Sequence, residues 1–328
     1  MKAIVYSHYG TPDVLHLADR PTPSPAANEV LIRVHAAEAT KSDCELRSFQ
    51  FPVRWFWLPL RIAFGIRKPK QQILGGYFAG EITQVGTEVQ HLAPGDRVFG
   101  SSQLRLGGYA EYLCLPGHYS LAPIPENLTY VEAAAVPLGG LNALHFIRRA
   151  KIQPGERVLI NGAGGSIGSY AVQLAKLFGA EVTAVDSANK AALLTELGAD
   201  HVIDYRQADF RQSTAEYDVV VDMVASSPYG STISALRANG RYLMANPSLI
   251  KMLRAVWTTQ FSSKQVLFAF AAETLGELQT LQLMLKEGQI RAVVDRVYPM
   301  AKAADAHRRV ESEQRLGSVV IQISGVID

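Results

Sequence analysis

Cysteine is scarce: Cys44 and Cys114 are the only two in 328 residues. That number excludes a four-thiolate structural zinc site and any disulfide framework of the kind small secreted domains rely on. An excess of one charge is missing as well. The 32 lysines and arginines stand against 30 acids, a net charge of +2, too little for the electrostatic footprint of a nucleic-acid-binding protein. No apolar run reaches the roughly 20 residues of a spanning helix. The most apolar stretch, residues 49–66, is interrupted by Arg54 and Arg61 and broken by Pro52 and Pro59. Residues 1–10 alternate polar and apolar side chains and lack the charged start and apolar core of a secretory signal, so they read as a strand and the chain as cytoplasmic. Fixed-period repeats, low-complexity tracts and long linkers are absent too.

What is present is enough apolar material for a large core, 48% hydrophobic residues with 19% charged, and a length that suggests two domains. The first third holds short alternating runs at 3–6, 29–35, 78–85, 97–99 and 110–114, separated by proline and glycine, a spacing that predicts antiparallel β structure. From about residue 131 the texture changes to helix 131–149, strand 157–161, helix 166–178, strand 181–186, helix 189–197 and strands 201–203, 217–222 and 240–245. Strands alternating with helices predict a doubly wound parallel sheet. A helix at 275–286 and strands at 293–297 and 318–323 are assigned back to the first domain. The fold class is therefore α/β: a β-rich domain from residues 1–122 and 272–328, and a Rossmann nucleotide-binding domain from 123–271, expected to pack closely around a cleft.

The segment Val158-Leu-Ile-Asn-Gly162-Ala163-Gly164-Gly165-Ser166-Ile167-Gly168 is an apolar strand running into a glycine turn and then a long helix. Glycines permit the tight turn and a close approach of backbone to a pyrophosphate, while the helix N-terminus offers N–H groups and the positive end of the dipole. The register Gly162, Gly165, Gly168 departs from strict G-x-G-x-x-G, and context strengthens it: the next strand ends at Asp186, where an acid reads the 2′-hydroxyl of an adenosine ribose. The plain alternative is that Asp186 caps the helix starting near Asn189. A carboxylate there repels a 2′-phosphate and favours NAD over NADP, whereas Lys190 and Arg206 are near enough in sequence to meet a phosphate.

Taken together, the motifs resemble those of the medium-chain dehydrogenase/reductase superfamily, in its zinc-free quinone oxidoreductase-like branch. The resemblance runs over essentially the whole chain. It is carried by Ala26-Ala-Asn-Glu-Val-Leu-Ile-Arg-Val, Gly80-Glu-Ile-Thr-Gln-Val-Gly86, Pro94-Gly-Asp-Arg-Val-Phe-Gly100, Gly108-Tyr-Ala-Glu-Tyr112, Glu132-Ala-Ala-Ala-Val-Pro137, the Gly162–Gly168 turn and Gly198-Ala-Asp-His-Val-Ile-Asp204. It implies a GroES-like catalytic domain built from both chain ends, a Rossmann domain between them, hydride transfer with NAD(P)H, and a homodimer. Zinc-dependent relatives carry a catalytic cysteine before a Ser/Thr-Asp element, and a Gly-His-Glu element that supplies a second ligand. Here those places read Thr40-Lys-Ser42-Asp43 and Gly75-Gly76-Tyr77, and neither hydroxyl nor glycine suits a tetrahedral zinc site.

Without a Lewis acid a simple alcohol is a poor substrate, whereas a quinone or an α,β-unsaturated carbonyl already spreads the charge a hydride brings. The resemblance places Ser42, Tyr77 and, more weakly, Thr40 where hydrogen-bond donors would meet a developing oxyanion, and Asn142 where a side chain approaches the nicotinamide. Plain readings stand beside these: Ser42 bonding its own turn, and Tyr77 packed in a strand. Gly317-Ser318-Val319 replaces a common Gly-Lys-Val, which again leans toward NADH. His145 and His307 read as packing or surface residues. Residues 51–66 read as a lid over a hydrophobic acceptor, as core packing, or as a peripheral membrane contact. The expected activity is reduction of a hydrophobic quinone or enone with NAD(P)H. Zinc-independent alcohol or aldehyde oxidoreduction, and a non-catalytic NAD(P)H sensor, are the alternatives.

Overall fold

A computed structural model describes residues 1–51, 57–212, 216–268 and 272–324. The strands are β1 (Lys2–Val5), β2 (His16–Asp19), β3 (Glu29–Ala39), β4 (Tyr77–Val85), β5 (Arg97–Ser101), β6 (Tyr112–Pro116), β7 (Leu121–Pro123), β8 (Arg157–Asn161), β9 (Glu181–Asp186), β10 (His201–Asp204), β11 (Tyr217–Asp222), β12 (Leu236–Met244), β13 (Gln265–Phe268), β14 (Val294–Pro299) and β15 (Ser318–Gln322). The helices are α1 (Lys41–Ser48), α2 (Trp57–Phe64), α3 (Tyr130–Ala134), α4 (Pro137–Ala150), α5 (Ser166–Leu177), α6 (Ala191–Glu196), α7 (Tyr229–Ser234), α8 (Leu249–Phe261), α9 (Leu275–Lys286) and α10 (Ala303–Glu311). Two compact units divide the chain: Met1–Leu138 with Glu273–Asp328, and Gly139–Ala272.

In the first unit β3 is the axis of the sheet, whose order is β14-β15-β3-β4-β5-β7. β4 occupies one edge of β3 from Val30 to Ala37, while β6 (along Glu29–Arg33) and β15 (along Ala36–Ala39) share the other. That is why β3 is long and why the C-terminal strands belong to this unit. Alternation buries Ile32 and Val34 against Phe78, Ile82, Val98, Leu115, Val319 and Ile321, as a one-sided sheet requires. Helix α10 closes over this core with Ala306, His307 and Val310 buried.

The second unit is a six-stranded parallel sheet in the order β10-β9-β8-β11-β12-β13, the strand order of a dinucleotide-binding fold, with its point of reversal between β8 and β11. Its strands are continuous apolar runs because both faces are covered: Val158, Leu159, Ile160, Val219, Val220 and Val221 are inaccessible to solvent.

Two differences from the sequence reading lie in the helices around the nucleotide turn. The helix expected at 131–149 is two helices, because Pro137 has no N–H to give and opens α4, leaving Thr129 and Glu132 to cap α3 in a reciprocal box. The helix expected at 189–197 begins as a single 3-10 turn and becomes α6 at Ala191. Helices α1, α2, α7, α8 and α10 and strands β2, β7 and β13 have no counterpart among the expected elements.

His307 is buried, with Nδ1 3.3 Å from Cys44 Sγ and Nε2 3.1 Å from the Tyr109 hydroxyl. Burial, with the nearby Arg47 charge adding to it, pushes the imidazole down to about 3. A histidine of the unfolded chain takes its proton near pH 6.5, so the unfolded state binds more protons between 6.5 and about 3, and stability falls as the pH drops through that window. Chemical denaturation at pH 7 and pH 5 is expected to cost the wild type about 2 kcal/mol more than it costs His307→Gln. Equal losses would mean that His307 is not held neutral.

Candidate functional site

The nucleotide turn is built as its glycines require. β8 ends at Asn161, Gly162 adopts a φ of +82° that side chains avoid, and Gly165 becomes the N-cap of α5. A Cβ on Gly168 would lie 2.2 Å from the Gly162 carbonyl oxygen, so only glycine lets the helix sit this close beneath the turn. The N–H groups of Gly162 and Ala163 bond the Val185 carbonyl at 3.0 and 3.2 Å, fixing the turn to the end of β9. Ser166, Ile167 and Gly168 form the first turn of α5, where backbone donors outnumber helical acceptors and an anion is stabilised.

Asp186 stands at the C-terminal end of β9 as expected, and its carboxylate is engaged. Oδ2 accepts the Gly164 N–H at 2.8 Å; Oδ1 accepts the Ser187 N–H at 2.8 Å and pairs with Lys190 Nζ at 2.9 Å. Both side chains of that pair are almost entirely buried. The acid therefore ties the glycine turn to the start of the next helix, and Lys190 neutralises it. Arg206, two residues beyond β10, is fully exposed, and its pKa is raised by the Tyr205 side chain first and by more distant acids including Asp186. Asn142 lies on α4, half-buried.

The sheet's crossover point holds a residue that the sequence reading does not single out. Asp222, at the end of β11, accepts bonds on Oδ1 from Asn161 Nδ2 (2.9 Å), Ser227 Oγ (3.0 Å) and the Val224 N–H (3.0 Å), and on Oδ2 from the Tyr242 hydroxyl (2.8 Å). Burial pushes its carboxyl above the usual range, against these bonds. The signal was in the sequence: an acid closing the apolar run 217–222, in the middle of a parallel sheet.

The catalytic candidates of the first unit separate. Thr40 is buried at the N-cap of α1, where its Oγ1 accepts the Asp43 N–H at 3.0 Å and donates to Asp43 Oδ2 at 2.6 Å. The hydroxyl's one proton is given to Asp43, so in this arrangement Thr40 acts as the cap of α1. Asp43 Oδ1 accepts the Gly75 N–H at 3.0 Å, which joins the Thr40–Asp43 and Gly75–Tyr77 segments. Burial raises the Asp43 carboxyl while Thr40 and Gly75 lower it, and burial dominates. Ser42 is exposed on the first turn of α1. Tyr77 donates to Glu273 Oε1 at 2.6 Å, and Ser101 Oγ donates to Glu273 Oε2 at 2.7 Å. Burial, then the Glu273 charge, hold the Tyr77 phenol well above its ordinary value. A phenolate beside a carboxylate is doubly disfavoured, so the Tyr77 hydroxyl keeps its proton and donates it to Glu273 as a hydrogen bond. Glu273 also escapes the sequence reading, although it is the first acid after Asp222.

The apolar stretch 51–66 divides likewise. Residues 52–56 lie outside the described residues. Of the rest, Phe51 and Phe64 pack on the core, and the Arg61 guanidinium lies over the Phe49 ring at 3.8 Å and the Tyr9 ring at 4.5 Å. Leu58, Ile62 and Ile66 face solvent. Among the described residues no group of three or more His, Cys, Asp and Glu could hold a metal ion, and no helix is long and apolar enough to cross a membrane.

Residues 26–126 match the alcohol dehydrogenase GroES-like domain and residues 197–321 a zinc-binding dehydrogenase domain. The chain is 30% identical to a chloroplastic quinone oxidoreductase of Triphysaria versicolor, over 98% of both chains. It is 30% identical to 2-methylene-furan-3-one reductase of Solanum lycopersicum, over 98% of this chain and 79% of that one. The quinone oxidoreductase from Coxiella burnetii has the same fold, with a TM-score of 0.87, 29% identity and 99% of each chain covered. The chain belongs to the medium-chain dehydrogenase/reductase superfamily, in its quinone oxidoreductase-like branch, with a GroES-like domain and a Rossmann domain, and it is an oxidoreductase of the NAD(P)-dependent kind.

If Thr40 is a cap and no more, Thr40→Ala should lower unfolding stability by about 1 to 2 kcal/mol while kcat/KM stays within about twofold, a change worth less than 0.5 kcal/mol. Denaturant midpoints and steady-state rates measured on the same preparation check both halves; a rate loss well beyond twofold would return Thr40 to the catalytic list.

Proposed function

We propose that the protein reduces quinones or α,β-unsaturated carbonyls with NAD(P)H and without a catalytic metal. The observation that carries this reading is the fate of the two former metal-ligand segments. Thr40 is spent on Asp43, the Gly75 N–H is spent on the same carboxylate, and the Tyr77 hydroxyl is given to Glu273. None of these offers a thiolate, imidazole or carboxylate to zinc. An acceptor that delocalises negative charge suits such a site, because its oxyanion needs hydrogen bonds and no Lewis acid.

The cofactor, when bound, supplies a hydride, and every other task falls to the chain. The first turn of α5 holds the pyrophosphate through its backbone N–H groups, and the Gly162–Gly165 turn, whose own N–H groups bond Val185, Asp186 and Gly162, lets the phosphates come close to it. Asp186 offers the ribose 2′-hydroxyl an acceptor whose charge Lys190 has already balanced, so NADH is preferred modestly and NADPH is tolerated. Asn142 bonds the carboxamide end. Ser42, whose hydroxyl is exposed on a helix turn fixed by the Thr40–Asp43 box, donates to the oxyanion, and Tyr77 shapes the wall beside it. The acceptor is a small hydrophobic quinone or carbonyl, and the functional form is a homodimer, as the family resemblance implies.

Oxidation of NADH and NADPH, followed side by side with a simple benzoquinone and a medium-chain enone, tests this. Turnover with both acceptors is expected, with NADH ahead. Asp186→Ala should raise the NADPH to NADH ratio of kcat/KM, and Lys190→Ala should lower it, each by about tenfold, the factor that 1.4 kcal/mol gives. Steady oxidation of simple alcohols with neither acceptor used would favour the alcohol dehydrogenase alternative, and tight NADH binding without turnover the sensor.

A further inference from the structure

Helix α8 is held to the second unit by polar side chains more than by burial. A surface helix normally turns its apolar stripe to the core, whereas α8 buries Ala255 alone and leaves Leu253 and Trp257 facing solvent. Its attachments are hydrogen bonds. Thr258 Oγ1 accepts from the Tyr229 hydroxyl at 2.8 Å, Thr259 Oγ1 accepts the Val266 N–H at 3.0 Å, and Lys251 Nζ donates to the carbonyls of Ala225 and Ser227 at 2.6 and 2.7 Å. Lys251 lies in the first turn of α8, where a cation meets the positive end of the helix dipole. Burial also pushes its ammonium below the ordinary value, with Asp222 pulling the other way. A charge kept there against dipole and burial is held by the two carbonyls it serves.

Those carbonyls belong to the loop 223–227, which is held from its other side as well. Asp222 Oδ1 takes the Val224 N–H and the Ser227 hydroxyl, each at 3.0 Å, and the Asn161 carbonyl takes the Met223 N–H at 3.0 Å. Backbone carbonyls need donors just as N–H groups need acceptors, and one ammonium supplies two of them here. The loop is therefore clamped through its donors by Asp222 and Asn161 and through its acceptors by Lys251. What it presents outward is Val224, 38% exposed. A Cβ on Gly162 would lie 3.3 Å from Val224 Cγ2 and 3.4 Å from Met223 Cβ, so the loop rests against the first glycine of the nucleotide turn. This is the reversal point of the strand order, where an open parallel sheet takes its nucleotide.

We propose that Lys251 is a positioning residue for NAD(P)H: by holding the Ala225 and Ser227 carbonyls it fixes Val224 beside the glycine turn as one wall of the nucleotide site. The ammonium is given to the loop and acts on the cofactor through it. The gap lined by Asp222, Val224, Ala225, Tyr242 and Lys251, among others, has a volume of about 10 Å³, room for no more than one water. The loop cannot settle inward, and the movement left to it is outward, against the two carbonyl bonds. The inference rests on the NAD(P) dependence of the chain and on the second unit, not on the identity of the acceptor.

Fluorescence titration with NADH and amide exchange read by mass spectrometry, both on the full chain, test it. In Lys251→Met the dissociation constant for NADH is expected to rise about five- to tenfold. The amides of the loop 223–227 should exchange about tenfold faster, while β8 and β9 keep their protection. Lys251→Arg, which still brings donors to that place, should bind NADH within about twofold of the wild type. Val224→Ala should weaken binding as Lys251→Met does, and the two changes together should cost no more than the larger single one, because both act on the same contact. Should Lys251→Met not fold, Lys251→Gln, too short to meet both carbonyls, gives the same reading. A faster-exchanging loop with unchanged NADH affinity overturns the proposal, since Lys251 would then serve the fold alone. Weaker binding with an unchanged loop overturns it too, as do additive losses in the double variant, since Lys251 would then act on the cofactor without the loop. Binding is read without an acceptor, so a wild type that binds NADH yet turns over neither quinone nor enone counts against the proposed function alone.

Discussion

A carboxylate removed from water must be given donors in return, and the second unit is organised around one that has them. Asp222 sits where the strand order reverses, and four donors from three parts of the chain converge on it: Asn161 from the end of β8, Val224 and Ser227 from the following loop, and Tyr242 from β12. Leaving a group of this kind unpaired costs several kcal/mol, so its partners are held in place as firmly as it is. The nucleotide turn begins one residue after Asn161, and the loop that anchors α8 begins one residue after Asp222. The position of both depends on this single buried group.

The same device recurs twice. Asp43 joins α1 to the Gly75 turn in the first unit, and Asp186 joins the glycine turn to Lys190. In each case a buried acid is satisfied by backbone N–H groups together with side-chain partners, and so fixes the loop beside it. These acids hold loops in place, and beside them stand the N-terminus of α5 and the exposed hydroxyl of Ser42.

Much of this was legible in the residues themselves. The strands at 157–161, 181–186 and 217–222 and the helix at 275–286 have the expected bounds, because apolar runs between glycine or polar stops permit one reading only. Helix α8 was illegible for a physical reason: periodicity analysis assumes that the apolar side of a helix seeks the core, and here it does not. The role of Thr40 was illegible because a Thr-x-x-Asp cap and a vacated ligand position are written with the same letters, and only the Asp43 carboxylate, shared with Gly75, tells them apart. Glu273 was hidden by distance, since its partners Tyr77 and Ser101 lie more than 170 positions earlier in the chain.

The Thr40 cap also bears on the history of the fold. A lineage that replaced Thr40 with a ligating cysteine would lose a reciprocal capping box and strip Asp43 of the hydroxyl that satisfies it, all before any second ligand existed at Gly76 or Tyr77 to hold a metal. Each single step back toward zinc passes through a less stable protein with no compensating activity. The hydroxyl at the head of α1 thus sets a stability barrier against any single substitution that would put a thiolate in its place.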